Sequence, residues 1–173
     1  IKDLVDKAMK VGIDTDLGHD YLLDFEERTT EINRNSVSTG WSCIDDVMDG
    51  GLGPGELGVA VAPSGVGKTW VLCALGAAAV RAGLNVVHYS LELSEHYVGQ
   101  RYDTVFTQIP STQVKEKKEI VLDKISRLKG KLLIKYYPPK GISPKAIESH
   151  IEKMTASGNK TDLIIIDYAD LLL

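Results

Sequence analysis

The chain has 173 residues, enough for one domain with its own hydrophobic core. Hydrophobic residues are 43% and charged residues 25%, ordinary for a globular protein, and no apolar run approaches the ~20 residues of a membrane span. A net charge of −4 argues against a domain that grips nucleic acid by bulk positive charge, while leaving room for a ring with a small basic patch in its channel.

Residues 1–35 are polar and charged, too small and polar to bury a core. Tyr21, Leu22 and Phe25 suit one face of a short helix, so this arm reads either as a linker that docks on a neighbour or as a solvated tail. The start at Ile1-Lys2-Asp3, without an initiator Met or signal-peptide pattern, is what an excised or processed piece is expected to show. From Ser38 the texture changes, and the run Gly50-Gly51-Leu52-Gly53-Pro54-Gly55 is turn chemistry. Residues 57–62 form a short apolar run that suits a buried strand. Residues 68–82 read as a helix, with Gly83 as its stop. Residues 85–91 suit a second strand, and Ser94 suits the cap of a helix running to about Thr107. Residues 114–128 carry Val114, Ile120, Val121, Ile125 and Leu128 at roughly helical spacing on a charged background. Residues 131–137 suit a strand, ended by Pro138-Pro139. Ser143-Pro144 is a cap followed by a helix-starting proline, so a helix follows to about Ala156. Residues 163–166 are wholly apolar and branched, as in a central parallel strand. Strands alternating with helices give an α/β fold with a mostly parallel sheet and flanking helices.

The segment Ala62-Pro63-Ser64-Gly65-Val66-Gly67-Lys68-Thr69 fits the P-loop pattern, with Ala62 in place of its first glycine. A turn from strand to helix aims backbone N–H groups at one point, and the helix N-terminus adds partial positive charge. Glycines let that backbone wrap a phosphate. Lys68 suits the β- and γ-phosphates of ATP, and the Thr69 hydroxyl suits Mg²⁺. Ala62 serves if its backbone stays extended.

Asp167 ends the apolar run Leu163-Ile164-Ile165-Ile166, the Walker B arrangement, and suits the Mg²⁺ shell through water. Glu92 follows the strand at Leu91. In a parallel sheet it would reach the same edge as the P-loop, as a general base for the attacking water or merely as an exposed acid opening a helix. Glu95 is the weaker competitor. His19, His88, His96 and His150 lack metal-ligand spacing, and no zinc site is expected. Cys43 and Cys73 read as two buried thiols in a reduced cytoplasm. Tyr136 and Tyr137 read as packing on the sheet, and residues 115–119 as a solvated helix face.

Taken together, Ser38-Thr39-Gly40-Trp41, Ile44-Asp45 and the glycine-rich run to Leu57 resemble the start of the ATPase domain in DnaB-type replicative helicases. Ala62-Pro63-Ser64, Ser90-Leu91-Glu92-Leu93, Arg101, Gly141-Ile142-Ser143 and Ile166-Asp167-Tyr168 are similar to that family in the same order. The resemblance runs from about Ser38 to Leu173. It implies a RecA-like P-loop NTPase fold, incomplete at the C-terminus, over residues 36–173, with residues 1–35 as the linker and docking arm. It implies Glu92 as the base and Arg101 beside the nucleotide. It further implies a homo-hexamer with ATP at its interfaces, single-stranded DNA held by loops beyond the fragment, and 5′-to-3′ unwinding. A primase or helicase loader is the expected partner, in the cytoplasm of a bacterium or a phage-infected cell. Asp170 stands where the family usually has Gln, shortly after Asp167. With the family's DNA-binding loops and arginine finger lying beyond Leu173, the isolated piece is expected to bind nucleotide weakly and turn over little. The other readings are a RecA/RadA- or KaiC-like ATPase of filaments or regulatory rings, and a nucleotide-binding assembly module.

Overall fold

The computed structural model describes Gly18, residues 20–29 and residues 34–173; His19 and most of the predicted arm lie outside the described residues. The chain divides into two compact units, Ile1–Arg34 and Asn35–Leu173. In the first unit, helix α1 spans Phe25–Thr29. Asp20 Oδ1 accepts from the Leu22 and Leu23 amides, both at 2.9 Å. Tyr21 and Leu22 therefore lie in the turn before the helix, and the expected three-residue apolar helix face does not form. No helix among the described residues is long and apolar enough to cross a membrane.

The second unit opens with a short helix α2, Ser42–Asp45. Helix α3, Lys68–Arg81, ends at Gly83 with φ +97°. The Gly83 amide donates to the Val80 carbonyl and the Leu84 amide to the Ala79 carbonyl, both at 3.0 Å. This closure needs a left-handed residue, which glycine supplies without a steric penalty. Strand β1, Val86–Ser90, follows, then helix α4, Glu95–Thr107. The predicted single helix over 114–128 is two helices, α5 at Ser111–Val114 and α6 at Lys118–Ser126. The break falls at Lys117, whose φ of −104° and ψ of 29° leave helical geometry. Strand β2, Leu132–Tyr136, precedes helix α7, Pro144–Ala156, where the Ser143 hydroxyl accepts from the Ala146 amide as expected of its cap. Strand β3, Leu163–Asp167, completes a parallel sheet of order β2-β1-β3.

Burial follows the alternation of β1, which is covered on both faces. Val87 and Tyr89 face one cluster with Leu91, Ile142 and Ile147 of α7. Val86 faces the other side, against Ala79, Val80 and Ile165, beside a cluster of Cys73, Ala77, Val98 and Tyr102 from α3 and α4. Tyr137 stacks on Tyr89, whose hydroxyl lies 2.6 Å from His150 Nδ1.

Two expectations are corrected here. Residues 57–62 are no strand: they pair with none among the described residues, and Leu57, Val59 and Val61 are 87%, 72% and 90% exposed. Apolar composition favours burial, but a strand exists only where a neighbour accepts its hydrogen bonds. Cys43 is exposed rather than buried, because α2 buries no residue; Cys73 is buried as expected.

A polar contact sits inside this core. His88 is fully buried, and its Nδ1 lies 2.9 Å from the Tyr102 hydroxyl. That hydroxyl occupies a notch on α3 left by Gly76, where a Cβ would collide with it and approach Ile165 Cδ1 to 2.9 Å. Burial pushes His88 down from 6.5 to about 4. Its folded value lies below its unfolded value, so the unfolded chain binds the proton first as pH falls. The stability it contributes is therefore complete above about pH 6.5 and is lost as pH falls towards 4, at up to ~1.4 kcal/mol per pH unit. Urea unfolding at pH 7, 6 and 5 is expected to show this slope in the wild type and to lose that part of it in His88→Gln; equal slopes would contradict the assignment. Gly76→Ala is expected to lower unfolding free energy by about 1–3 kcal/mol, and an unchanged urea midpoint would show that the notch is not tight.

Candidate nucleotide site

The loop before α3 owes its shape to its glycines. Gly65 has φ +80° and Gly67 has φ +108°, left-handed values that side chains disfavour. Ala62 does not take a positive φ, so its replacement of glycine carries no strain. Gly67 occupies the N-cap of α3, and Lys68 and Thr69 are its first residues. The first-turn amides of a helix have no intrahelical partner and point outward along its axis. Pro63, Ser64 and Val66 are exposed around this cradle. Lys68 Nζ donates to the carbonyls of Ala62 at 2.8 Å and Pro63 at 3.2 Å, so the ammonium is held over the loop by weak neutral acceptors.

Topology brings the acids to the same edge. Helix α3 ends beside the start of β1 and packs on β1 and β3, so its N-terminus returns to the C-terminal ends of those strands. There Ser90 is in register with Asp167, and the Leu91 amide donates to the Asp167 carbonyl at 2.8 Å. Asp167 is 1% exposed, and its Oδ2 has no hydrogen-bond partner among the described residues. The peptide from Asp167 to Tyr168 is cis. Cys73, one turn after Thr69, shows the proximity electrostatically: burial pushes its thiol up to about 12, Arg101 opposes the rise and Asp167 adds to it.

Glu92 lies just beyond β1, exposed, in the turn before α4. Glu95 is occupied elsewhere, its Oε1 accepting from the Tyr136 amide at 3.1 Å. Ser94 stands at the N-cap of α4, but its hydroxyl makes no capping bond. Arg101 reaches the start of α3, with its guanidinium 5.4 Å from the Trp70 ring centroid, a cation–π contact. Trp70, Leu93, Tyr97, Gln100, Arg101 and Ser111 line a hollow of about 280 Å³ there. Asp170 is exposed in a short 3-10 helix, Ala169–Leu171.

Trp70 and Tyr102 carry no motif signal of their own and emerge only from packing. Asp45 belongs to a segment of the family resemblance, but its contacts emerge only from packing. Its Oδ2 accepts from the Ser38 hydroxyl at 2.6 Å, and its Oδ1 from the Thr39 amide and hydroxyl at 2.8 and 2.7 Å. These bonds, Ser38's foremost, hold its carboxyl below the usual range. The spacing of Ser38-Thr39 and Asp45 thus has a physical cause: the acid at the end of α2 ties down the chain that enters the domain.

Comparison with known proteins identifies the family. The family of the DnaB-like helicase C terminal domain matches residues 36–173. A DnaB-like replicative helicase of Enterobacteria phage T4 is 27% identical over 181 residues, which cover 97% of this chain and 38% of that protein. A solved DnaB-like replicative helicase, described with its interactions with primase, has the same fold at a TM-score of 0.68 and 19% identity, over 99% of this chain and 43% of its own. The chain spans well under half the length of both relatives. Because the family match extends over most of its length, the chain belongs to the DnaB-like helicase C-terminal domain family, with that family's α/β, RecA-like fold.

Proposed function

We propose that this chain is part of the ATPase core of a replicative DNA helicase, which hydrolyses Mg-ATP to move on single-stranded DNA and unwind duplex. The observation that supports this reading is the topology: Glu92 follows β1 and Asp167 ends β3 at the strand ends towards which the N-terminus of α3, with Lys68 and Thr69, returns. The first-turn amides of α3 and the Lys68 ammonium would take the β- and γ-phosphates. Lys68 would exchange its bonds to the Ala62 and Pro63 carbonyls for charged oxygens, a stronger pairing. Thr69 and Asp167 would hold Mg²⁺, Asp167 through water. The fit rests on Asp167 Oδ2, a buried acceptor without a partner among the described residues, which is costly unless something satisfies it. When bound, the ion would neutralise charge on the phosphate oxygens. Glu92, exposed and unengaged by the sheet, would take the proton of the attacking water. Arg101 would contribute positive charge beside the phosphates.

Family membership supports the wider reading. The full-length protein would act as a homo-hexamer in the cytoplasm of a bacterial or phage-infected cell, with residues 1–35 as an arm docking on the adjacent subunit. A primase is the partner suggested by the solved relative, and a helicase loader is a second candidate.

The test is ATP hydrolysis by the full-length protein with and without single-stranded DNA. DNA is expected to stimulate turnover, and Lys68→Ala to abolish it. Glu92→Gln is expected to keep nucleotide binding and slow hydrolysis by about 10²–10⁴. Turnover indifferent to DNA would overturn the helicase reading, and normal hydrolysis by Glu92→Gln would remove Glu92 from the chemistry.

A further inference from the structure

Glu92 has a precise place only if its backbone does. Among the described residues no hydrogen bond or ion pair anchors its carboxylate, so the turn that carries it sets its position. That turn is closed by one side chain. The Ser90 hydroxyl donates to the Leu93 carbonyl at 2.6 Å and accepts from the Leu93 amide at 3.1 Å, bracketing Leu91 and Glu92. Ser90 is fully buried, so water has no access to replace either bond.

The clasp is fixed to the sheet on both sides. The Tyr137 amide donates to the Ser90 carbonyl at 2.9 Å, and the Leu91 amide to the Asp167 carbonyl at 2.8 Å. Just past the clasp, Glu95 Oε1 holds the Tyr136 amide at 3.1 Å. Glu92 is thus the exposed tip of a turn tied to both neighbouring strands, one of which ends in Asp167.

The geometry points to Ser90 as the positioning residue for Glu92. Its hydroxyl bonds only the Leu93 backbone among the described residues, and acts by fixing the distance between the Glu92 carboxylate and the edge where Asp167 and the P-loop meet. A serine at a strand end often bonds local backbone without consequence. Here the bonded segment is the one that carries the proposed base. This inference rests on Glu92 being that base. Removal of the hydroxyl leaves the Leu93 amide without its bond and frees the turn. An error of about 1 Å in placing a catalytic group can cost on the order of 10²-fold in rate.

The experiment is a double-mutant cycle on the full-length protein, reading kcat, KM and the Kd of a fluorescent ATP analogue. Ser90→Ala is expected to lower kcat by about 10- to 100-fold, with KM and Kd within about twofold of wild type. In a Glu92→Gln background, under single-turnover conditions, Ser90→Ala is expected to cause no further loss, because a positioned group that is absent cannot be misplaced. Wild-type kcat in Ser90→Ala would overturn the proposal, as would an equal fall in both backgrounds, the sign of a merely structural role. If Glu92→Gln alone hydrolyses ATP normally, the base assignment fails and this inference with it. That arm is read separately, so the two failures are distinguishable. If Ser90→Ala does not fold, Ser90→Cys fills the same space with a weakly bonding sulfur, and the same outcomes decide.

Discussion

The register in which β1 pairs with β3, Val86 opposite Leu163 and Ser90 opposite Asp167, decides where Asp167 stands relative to the turn that bears Glu92. Side chains alternate along a strand, so a slip of one residue would send a whole set to the opposite face. In the observed register His88, Ser90, Ile165 and Asp167 share the face covered by α3 and α4. The same pairing lets the Leu91 amide reach the Asp167 carbonyl. The turn bearing Glu92 is thereby coupled to the strand bearing Asp167.

Packing on that face converts register into a site. Helix α3 approaches closely because its inner surface is Gly76, Ala77 and Ala79, with Gly76 making room for Tyr102. The contact between Tyr102 and His88 satisfies one nitrogen of a buried histidine and holds α4 against the sheet. Helix α4 in turn carries Arg101 to Trp70, directly after Thr69. A buried polar pair in the core is thus connected, through α4, to the residues beside the glycine-rich loop before α3. Burial keeps this pair electrically quiet: His88 is neutral at pH 7, and the Tyr102 hydroxyl is pushed far up by burial, with Cys73 and Asp167 adding to the shift.

Much of this architecture was legible in the residues. The limits of α4 and α7, the glycine stop of α3 and the serine cap before Pro144 all follow from local chemistry, and local chemistry is what a linear sequence carries most directly. The apolar run at 57–62 failed for the opposite reason. Its composition asks for burial, but strand pairing is a property of two segments, and the described residues offer it no neighbour. The break at Lys117 failed similarly, since apolar spacing continues through a bend that leaves helical geometry.

By itself, the sequence determined the local units: a glycine loop able to take left-handed angles, a lysine and threonine opening a helix, and carboxylates placed at strand ends. These depend on neighbours a few residues apart, so spacing alone specifies them. Only the tertiary structure decided which units meet. It set Ser90 beside Asp167, folded Lys68 Nζ back onto the Ala62 and Pro63 carbonyls, and engaged Glu95 with the Tyr136 amide while leaving Glu92 exposed. Those outcomes depend on register, burial and the direction of single hydrogen bonds between distant segments, and no pattern along one chain encodes them separately.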